Sequence, residues 1–257
     1  MRLSGQRRTP HDHTPPLNPK NPIVEPAMPD LSRIIQEPAE PAQLILLCHG
    51  AGADAASLLP LGERLRETFP MATIVSLQAE LAADTPQGFA WFSLVGITEE
   101  NRPARVAQAL PALHAAVQGW QARSGVAAAA TALMGVSQGA EMVLEACKHA
   151  PMLASRVVAM GGRFTTLPDV PPAVTTIHFL HGKQDTLVPY AHSVNAAHHL
   201  SGMGSDITAE VVPFVGHELH PDLIELAITK LSTHIAPHLW TAAQDAAASQ
   251  TTTRPNR

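Results

Sequence analysis

Five consecutive residues have the types and spacing that could make a serine nucleophilic. The segment Gly135-Val136-Ser137-Gln138-Gly139 fits the pattern Gly-x-Ser-x-Gly. In that pattern a serine is held on a sharp turn between a strand and a helix, so that its hydroxyl projects into open space. The flanking glycines let neighbouring backbone come close. Residues 131–134 are an apolar run typical of a strand, and helix formers follow the motif until Pro151. The context predicts a serine hydrolase.

Such a serine needs a general base, and the base needs an acid that orients it. In this architecture the chain order is serine, acid, histidine. Asp185 follows a predicted strand at 175–180 and His217 follows one at 206–214, so both lie where parallel strands end. The weaker candidates precede a strand, lie in a Pro-rich loop or begin a helix: Asp169, Asp206, Asp222 and His220. Gly216 favours His217 over His220, because a glycine permits a tight approach.

The reaction also needs N–H donors for a developing oxyanion. Gln138 supplies one amide at the start of a helix, where the dipole favours negative charge. The loop His49-Gly50-Ala51-Gly52, directly after an apolar run at 44–48, is shaped to supply the second through Ala51. His49 precedes the serine in the chain, so a role in fixing this loop is favoured over a catalytic role.

The elements that must position these residues alternate along the chain. Predicted strands lie at 44–48, 72–77, 128–134, 156–160, 175–180 and 206–214, with a possible edge strand at 31–36. Predicted helices lie at 57–69, at 98–123 with Thr98 as N-cap, at 140–148 and at 220–235. Apolar strands separated by helices predict an α/β fold with a mostly parallel, doubly wound sheet and helices on both faces.

Composition bounds the domain organisation. Nine of the 23 prolines lie in the first 41 residues, so 1–29 is predicted to be a flexible Pro-rich leader. Residues 30–240 are predicted to form one catalytic domain, and the Ala-, Gln- and Thr-rich stretch 241–257 a flexible C-terminal tail. Cys48 and Cys147 fall in predicted elements and are expected to be free thiols.

Charge and hydropathy exclude several classes of partner. A net charge of −5 and a pI near 6.2 give no basic footprint for nucleic acid. No apolar run approaches the roughly 20 residues of a membrane-spanning helix, and the basic start lacks the apolar stretch of a secretion signal. The chain is therefore predicted to be cytoplasmic, without integral membrane association.

Together these motifs resemble the phospholipase/carboxylesterase family of α/β-hydrolases, which includes acyl-protein thioesterases and small bacterial carboxylesterases. The resemblance spans residues 40–236, is greater toward the carboxylesterases, and depends on His49-Gly50-Ala51-Gly52, Trp91-Phe92, Gly135-Val136-Ser137-Gln138-Gly139, His181-Gly182-Lys183-Gln184-Asp185 and Gly216-His217. Two positions depart from the family pattern, since Ala53 and Ser93 stand where family members often carry Asp. Both changes bear on substrate preference and leave the three catalytic candidates intact.

The resemblance implies a serine carboxylesterase with Ser137, Asp185 and His217 as its triad and with no cofactor or metal. Its implied partner is a small-molecule ester or thioester. The sequence does not determine whether the protein is a monomer or a homodimer. The substrate is expected to contact four apolar side chains, namely Trp91, Phe92, Leu187 and Val188. Within the family, an acyl-protein thioesterase or a lysophospholipase is the alternative.

Two alternatives come from other classes. One is a metal-dependent hydrolase, although His217-Glu218-Leu219-His220 is one residue short of the zinc motif His-Glu-x-x-His. The other is a non-catalytic binding protein on a hydrolase fold. A complete set of candidate catalytic residues in the expected chain order argues against it.

Overall fold

Seven strands form the central sheet of the computed structural model, which describes residues 31–148, 151–172 and 174–235. They are β1 (Arg33–Gln36), β2 (Gln43–Cys48), β3 (Ala72–Leu77), β6 (Thr131–Val136), β7 (Arg156–Met160), β8 (Thr176–Gly182) and β9 (Ile207–Val212), and their order across the sheet is β1-β3-β2-β6-β7-β8-β9. A separate two-stranded hairpin is made of β4 (Leu81–Ala82) and β5 (Phe89–Ala90).

The sheet is parallel apart from its β1 edge, which pairs antiparallel with β3. Every residue of β3 and β8 is buried, which explains why these segments show apolar runs without alternation. The predicted α/β fold and the edge strand near 31–36 are confirmed. Because the carboxyl ends of β6, β8 and β9 meet at one edge, the loops that follow them converge there.

Five α-helices of the described chain cover the two faces: α1 (Leu59–Thr68), α2 (Arg102–Ser124), α3 (Gln138–Ala146), α4 (Ala191–Gly202) and α5 (Pro221–Thr233). One core contains Leu113 of α2, Leu144 of α3 and Leu200 of α4. The other contains Leu65 of α1 and Leu223 of α5. The site at the carboxyl edge therefore has a separate packed layer on each side.

Two helix starts differ from the sequence prediction. Thr98 is not the N-cap of α2, because reciprocal bonds hold 98–101 as a turn before the helix: Thr98 N–H donates to Asn101 Oδ1 over 2.9 Å, and Asn101 N–H donates to Thr98 Oγ1 over 3.2 Å. His220 is not helical either. It is the extended N-cap of α5, and its side chain accepts from the Asp222 amide.

The predicted leader at 1–29 and tail at 241–257 lie outside the described residues, as do both boundaries of the predicted domain 30–240. Where the structure describes the chain, no helix is long and apolar enough to cross a membrane.

Candidate active site

Ser137 stands on the turn between β6 and α3 in a strained backbone conformation, with φ 54° and ψ −117°. Its amide donates to the Met160 carbonyl oxygen over 2.9 Å. The flanking glycines are required by close packing. A Cβ on Gly139 would overlap the Cys48 carbonyl oxygen, and a Cβ on Gly135 would overlap the backbone of Gly139. The spacing of the motif therefore reflects the contact between α3 and the strands beside it.

The three side chains predicted to act together lie in one hydrogen-bonded line. His217 Nε2 is 2.8 Å from Ser137 Oγ, and His217 Nδ1 is 2.6 Å from Asp185 Oδ2. The carboxylate can only accept, so His217 carries its hydrogen on Nδ1 and Nε2 accepts the serine hydroxyl. This is the arrangement in which an imidazole can remove the proton of a serine.

Asp185 is a buried carboxylate whose two oxygens have separate partners. Oδ1 accepts from the amides of Leu187 and Val188 over 2.9 and 2.8 Å, while Oδ2 accepts from His217. Burial raises the pKa of Asp185. The hydrogen bonds to the carboxylate and the nearby imidazoles lower this pKa by a larger amount, so the net pKa is below its usual value. The carboxyl group is therefore ionised where it faces His217.

His181 also contacts Asp185, which sequence reasoning missed. Its Nε2 is 3.1 Å from Asp185 Oδ2 and 2.7 Å from the Val188 carbonyl oxygen, and its Nδ1 is 2.8 Å from Ser193 Oγ. Two signals in the sequence pointed to it: its position four residues before Asp185 and its place in the motif His181-Gly182-Lys183-Gln184-Asp185.

Close approach at the site occurs at other glycines than the one predicted. A Cβ on Gly216 would meet no atom of the described chain within 4 Å, so the expected reason for Gly216 is wrong. A Cβ on Gly182 would instead overlap the Gly216 carbonyl oxygen. Gly161 has φ 61°, and a Cβ there would lie 3.5 Å from Asp185 Oδ2 and 3.6 Å from His217 Nδ1.

The loop predicted to supply an oxyanion donor lies against the serine. A Cβ on Gly50 would be 3.2 Å from Ser137 Cβ, and Ala51 lines the same cavity as Ser137. Gln138, the other predicted donor, is the first residue of α3, where the helix dipole favours negative charge.

His49 braces this loop from within the core. Its Nε2 accepts from the Ala79 amide over 3.1 Å, so its hydrogen is on Nδ1, which donates to the Gly50 carbonyl oxygen over 2.8 Å. Burial lowers the pKa of His49, which keeps the ring neutral. These contacts support the loop-fixing interpretation.

The side chain of Gln138 joins α3 to the segment that follows the β4–β5 hairpin. Its Oε1 accepts from the Trp91 amide over 2.8 Å, and its Nε2 donates to the Phe92 carbonyl oxygen over 2.7 Å. The Trp91 indole donates to the His49 carbonyl oxygen over 2.8 Å. These long-range contacts could not be read from the sequence, and they fix Trp91 and Phe92 as part of the frame of the site.

A cavity of about 250 Å³ opens beside Ser137 and His217. Its larger apolar side chains are Leu58, Val136, Met160, Leu219 and Leu223. The residues predicted to contact substrate are absent from its described lining: Trp91, Phe92, Leu187 and Val188. The first two are tied to Gln138, and the amides of the last two bind Asp185. The contact of these four residues with substrate stays a prediction.

The described cysteines are poor candidates for a nucleophile, and the described histidines and carboxylates do not form a metal site. Cys48 and Cys147 are free, and burial raises the pKa of both thiols, that of Cys147 to about 12. Within the described residues no group of three or more His, Cys, Asp or Glu side chains is arranged to hold a metal ion. His217 and His220 also have separate partners.

Comparison with known proteins identifies the family. The family model described as Phospholipase/Carboxylesterase matches residues 29–235. The chain belongs to the phospholipase/carboxylesterase family. Within it, the chain is 41% identical over 208 residues to Esterase YpfH of Escherichia coli (strain K12), a match that covers 80% of this chain and 90% of that protein. The resemblance inferred from the motifs is confirmed.

Solved structures agree with this membership of the phospholipase/carboxylesterase family. The crystal structure of esterase PE8 has a TM-score of 0.68 and 28% identity over 74% of this chain and 92% of that chain. A carboxylesterase from Mesorhizobium loti has a TM-score of 0.63 and 19% identity over 75% and 89% of the two chains, and so shows a shared fold. The α/β-hydrolase fold and the class of enzyme, a carboxylic ester hydrolase, are confirmed.

Proposed function

We propose that this chain is a serine carboxylesterase that hydrolyses short to medium acyl esters through an acyl-serine intermediate. The observation that carries the proposal is the continuous line from Ser137 Oγ through His217 to Asp185, at distances of 2.8 and 2.6 Å, beside a cavity with an apolar wall. Each atom in that line has the donor or acceptor character that proton transfer from a serine requires.

In the first step Ser137 Oγ attacks the ester carbonyl carbon and its proton passes to His217 Nε2. The carbonyl oxygen becomes an oxyanion that the amides of Ala51 and Gln138 stabilise. Asp185 stabilises the imidazolium through His217 Nδ1. When the carbon–oxygen bond breaks, Nε2 gives the proton to the departing alcohol and leaves the acyl group on the serine.

In the second step water replaces the alcohol. His217 Nε2 takes a proton from water, the resulting hydroxide attacks the acyl carbon, and the same oxyanion donors act again. The proton then returns to Ser137 Oγ as the carboxylic acid leaves. The cycle needs no cofactor or metal, because the imidazole carries every proton that moves.

The cavity supports a small acyl group. Pockets that hold drug-sized ligands span roughly 300–1,000 Å³, and this cavity is about 250 Å³. Its wall includes Leu58, Leu219 and Leu223, which gain from contact with hydrocarbon, and it also includes Ser57 and Glu218. An ester with a short to medium acyl chain is the substrate that this volume and apolar wall favour.

The experiment combines covalent labelling with an acyl series. The wild type, Ser137→Ala and the control Ser155→Ala are treated with a fluorophosphonate and assayed on p-nitrophenyl esters from acetyl to decanoyl. A thioester and a lysophospholipid are run beside them. Ser155 directly precedes β7, at the end of the sheet opposite Ser137, and its hydroxyl donates to the Ala129 carbonyl oxygen over 2.8 Å.

We expect labelling of the wild type and of Ser155→Ala on the peptide that contains Ser137, and loss of label and of hydrolysis in Ser137→Ala. Undiminished hydrolysis by a folded Ser137→Ala would refute the proposal. A rate on the thioester or lysophospholipid far above the best aryl ester would replace the proposed substrate class. Cytoplasmic location stays a prediction.

A further inference from the structure

Asp185 accepts hydrogen bonds from two imidazoles at one oxygen. His217 Nδ1 is 2.6 Å from Oδ2, and His181 Nε2 is 3.1 Å from the same atom. The two rings differ in access to solvent, since the His217 side chain is 19% exposed and the His181 side chain is fully buried. His217 is therefore the imidazole that can exchange a proton with substrate, and His181 contacts the carboxylate from the buried side.

The neighbours of His181 decide which of its nitrogens carries the hydrogen. Nε2 faces a carboxylate oxygen of Asp185 and the carbonyl oxygen of Val188, and both can only accept. Nε2 must therefore be the donor. Nδ1 lies 2.8 Å from Ser193 Oγ, whose hydroxyl can donate to it. Ser193 is itself buried at the start of α4, so this partner is fixed.

The ring is neutral in this setting. Burial lowers the pKa of His181, and this effect exceeds the opposing effect of Val188 and Asp185. The single Nε2–H of the neutral ring is shared between the Val188 carbonyl oxygen and Asp185 Oδ2, and it supports the carboxylate without adding a second positive charge. If His181 were an imidazolium, it would compete with His217 for the negative charge of the carboxylate as Ser137 attacks.

The other contacts of Asp185 complete the restraint. The amides of Leu187 and Val188 hold Oδ1 at 2.9 and 2.8 Å, and His181 holds Oδ2 from the buried side. Because His181 Nε2 also lies 2.7 Å from the Val188 carbonyl oxygen, it ties together the loop that carries both amides. Rotation of the carboxylate is thereby limited at both oxygens.

We propose that His181 is a positioning residue for the esterase reaction: its neutral imidazole, with the hydrogen on Nε2 and with Nδ1 beside the Ser193 hydroxyl, holds the Asp185 carboxylate in the orientation from which Oδ2 accepts the hydrogen of His217. The proposal rests on the proposed function, because positioning has a kinetic consequence only if His217 transfers the proton of Ser137.

Three variants test it by steady-state kinetics on a p-nitrophenyl ester. His181→Leu removes the donor, His181→Gln keeps an N–H near the place of Nε2, and Ser193→Ala removes the hydroxyl that contacts Nδ1. His178→Leu is the matched control, because His178 is another fully buried histidine of β8 and its ring nitrogen Nδ1 contacts Thr208 instead of Asp185. Melting temperature is measured for each variant, so that loss of folding is separated from loss of rate.

We expect His181→Leu to lower kcat by about 10- to 100-fold with little change in KM, since a lost hydrogen bond to a charged group and a misaligned base both act on the transition state. Its kcat/KM profile should keep activity to lower pH, because a misaligned Asp185 stabilises the imidazolium less. His181→Gln should recover most of kcat, Ser193→Ala should lose several-fold, and His178→Leu should retain the wild-type kcat.

An unchanged kcat in folded His181→Leu would overturn the proposal. So would equal losses in His181→Leu and His181→Gln with the wild-type pH profile, which is the result expected of a packing role. The ¹⁵N chemical shifts of the labelled imidazole give a readout that needs no catalysis: a neutral Nε2–H ring near pH 7 is expected, and an imidazolium contradicts the mechanism. If Ser137→Ala stays active, the proposed function fails whatever the state of His181.

Discussion

Replacing Leu223 by alanine should lengthen the acyl chain that the enzyme prefers. Leu223 lies in the first turns of α5, is 1% exposed, and lines the cavity beside Ser137. The change removes the three outer carbons of its side chain and leaves space that a longer acyl group can fill. Each buried methylene contributes about 0.8 kcal/mol, which corresponds to a factor of about four in kcat/KM.

In Leu223→Ala, the kcat/KM of a substrate longer by two methylenes should therefore rise about 15-fold relative to that of the shorter substrate, if both added groups are buried. The assay is the ratio of kcat/KM between neighbouring p-nitrophenyl esters in the acetyl to decanoyl series. Stability should fall by about 2–5 kcal/mol, as for other buried leucines, so rates are measured well below the melting transition.

Leu65→Ala is the control for this change. Leu65 is fully buried in the same apolar core, on α1, and is not among the lining residues of the cavity. It should destabilise the protein without changing the chain-length profile. The reasoning is refuted if Leu223→Ala leaves the profile unchanged, or if Leu65→Ala shifts it equally.

Three further predictions concern single residues. Gln138→Leu leaves the Trp91 amide and the Phe92 carbonyl oxygen without their hydrogen-bond partner, so the free energy of unfolding in urea should fall by about 2–5 kcal/mol. A loss below about 1 kcal/mol would show that these two hydrogen bonds are unimportant for stability. Asp185→Asn places an amide beside His217 Nδ1 and favours the wrong tautomer, so kcat should fall by about 10⁴-fold with the fold intact; a loss below about tenfold contradicts the assigned role. Burial lowers the pKa of His178 to about 3, while the unfolded chain binds that proton near pH 6.5. The wild type should therefore lose up to about 1.4 kcal/mol of stability per pH unit as pH falls below about 6.5, and His178→Asn should lack this component; equal slopes in urea unfolding would contradict it.

The sequence was sufficient where the signal was local. Apolar runs without alternation predicted the strands of the parallel sheet, since a strand buried on both faces needs no polar side. The order of Ser137, Asp185 and His217 predicted three side chains that the structure brings into one line, because each follows a strand whose carboxyl end lies at the same edge.

It was insufficient where the partner is distant in the chain. The cavity wall joins Leu58, which precedes α1, to Leu223 of α5, and no local pattern links them. The hydrogen bonds of the Gln138 side chain to Trp91 and Phe92 depend on where the β4–β5 hairpin lies, which the sequence does not show. The expected role of Gly216 failed for the same reason, since close approach depends on the strand beside it.

The most direct test of the account is to observe the intermediate. The enzyme is mixed with excess p-nitrophenyl ester in a rapid-quench instrument, and the phenol released is followed while digested samples are analysed by mass spectrometry. During turnover, the peptide containing Ser137 should gain the mass of one acyl group, and this adduct should disappear when the ester is exhausted. An acyl group on another residue, or steady hydrolysis by Ser137→Ala, would contradict the assignment of Ser137 as the nucleophile.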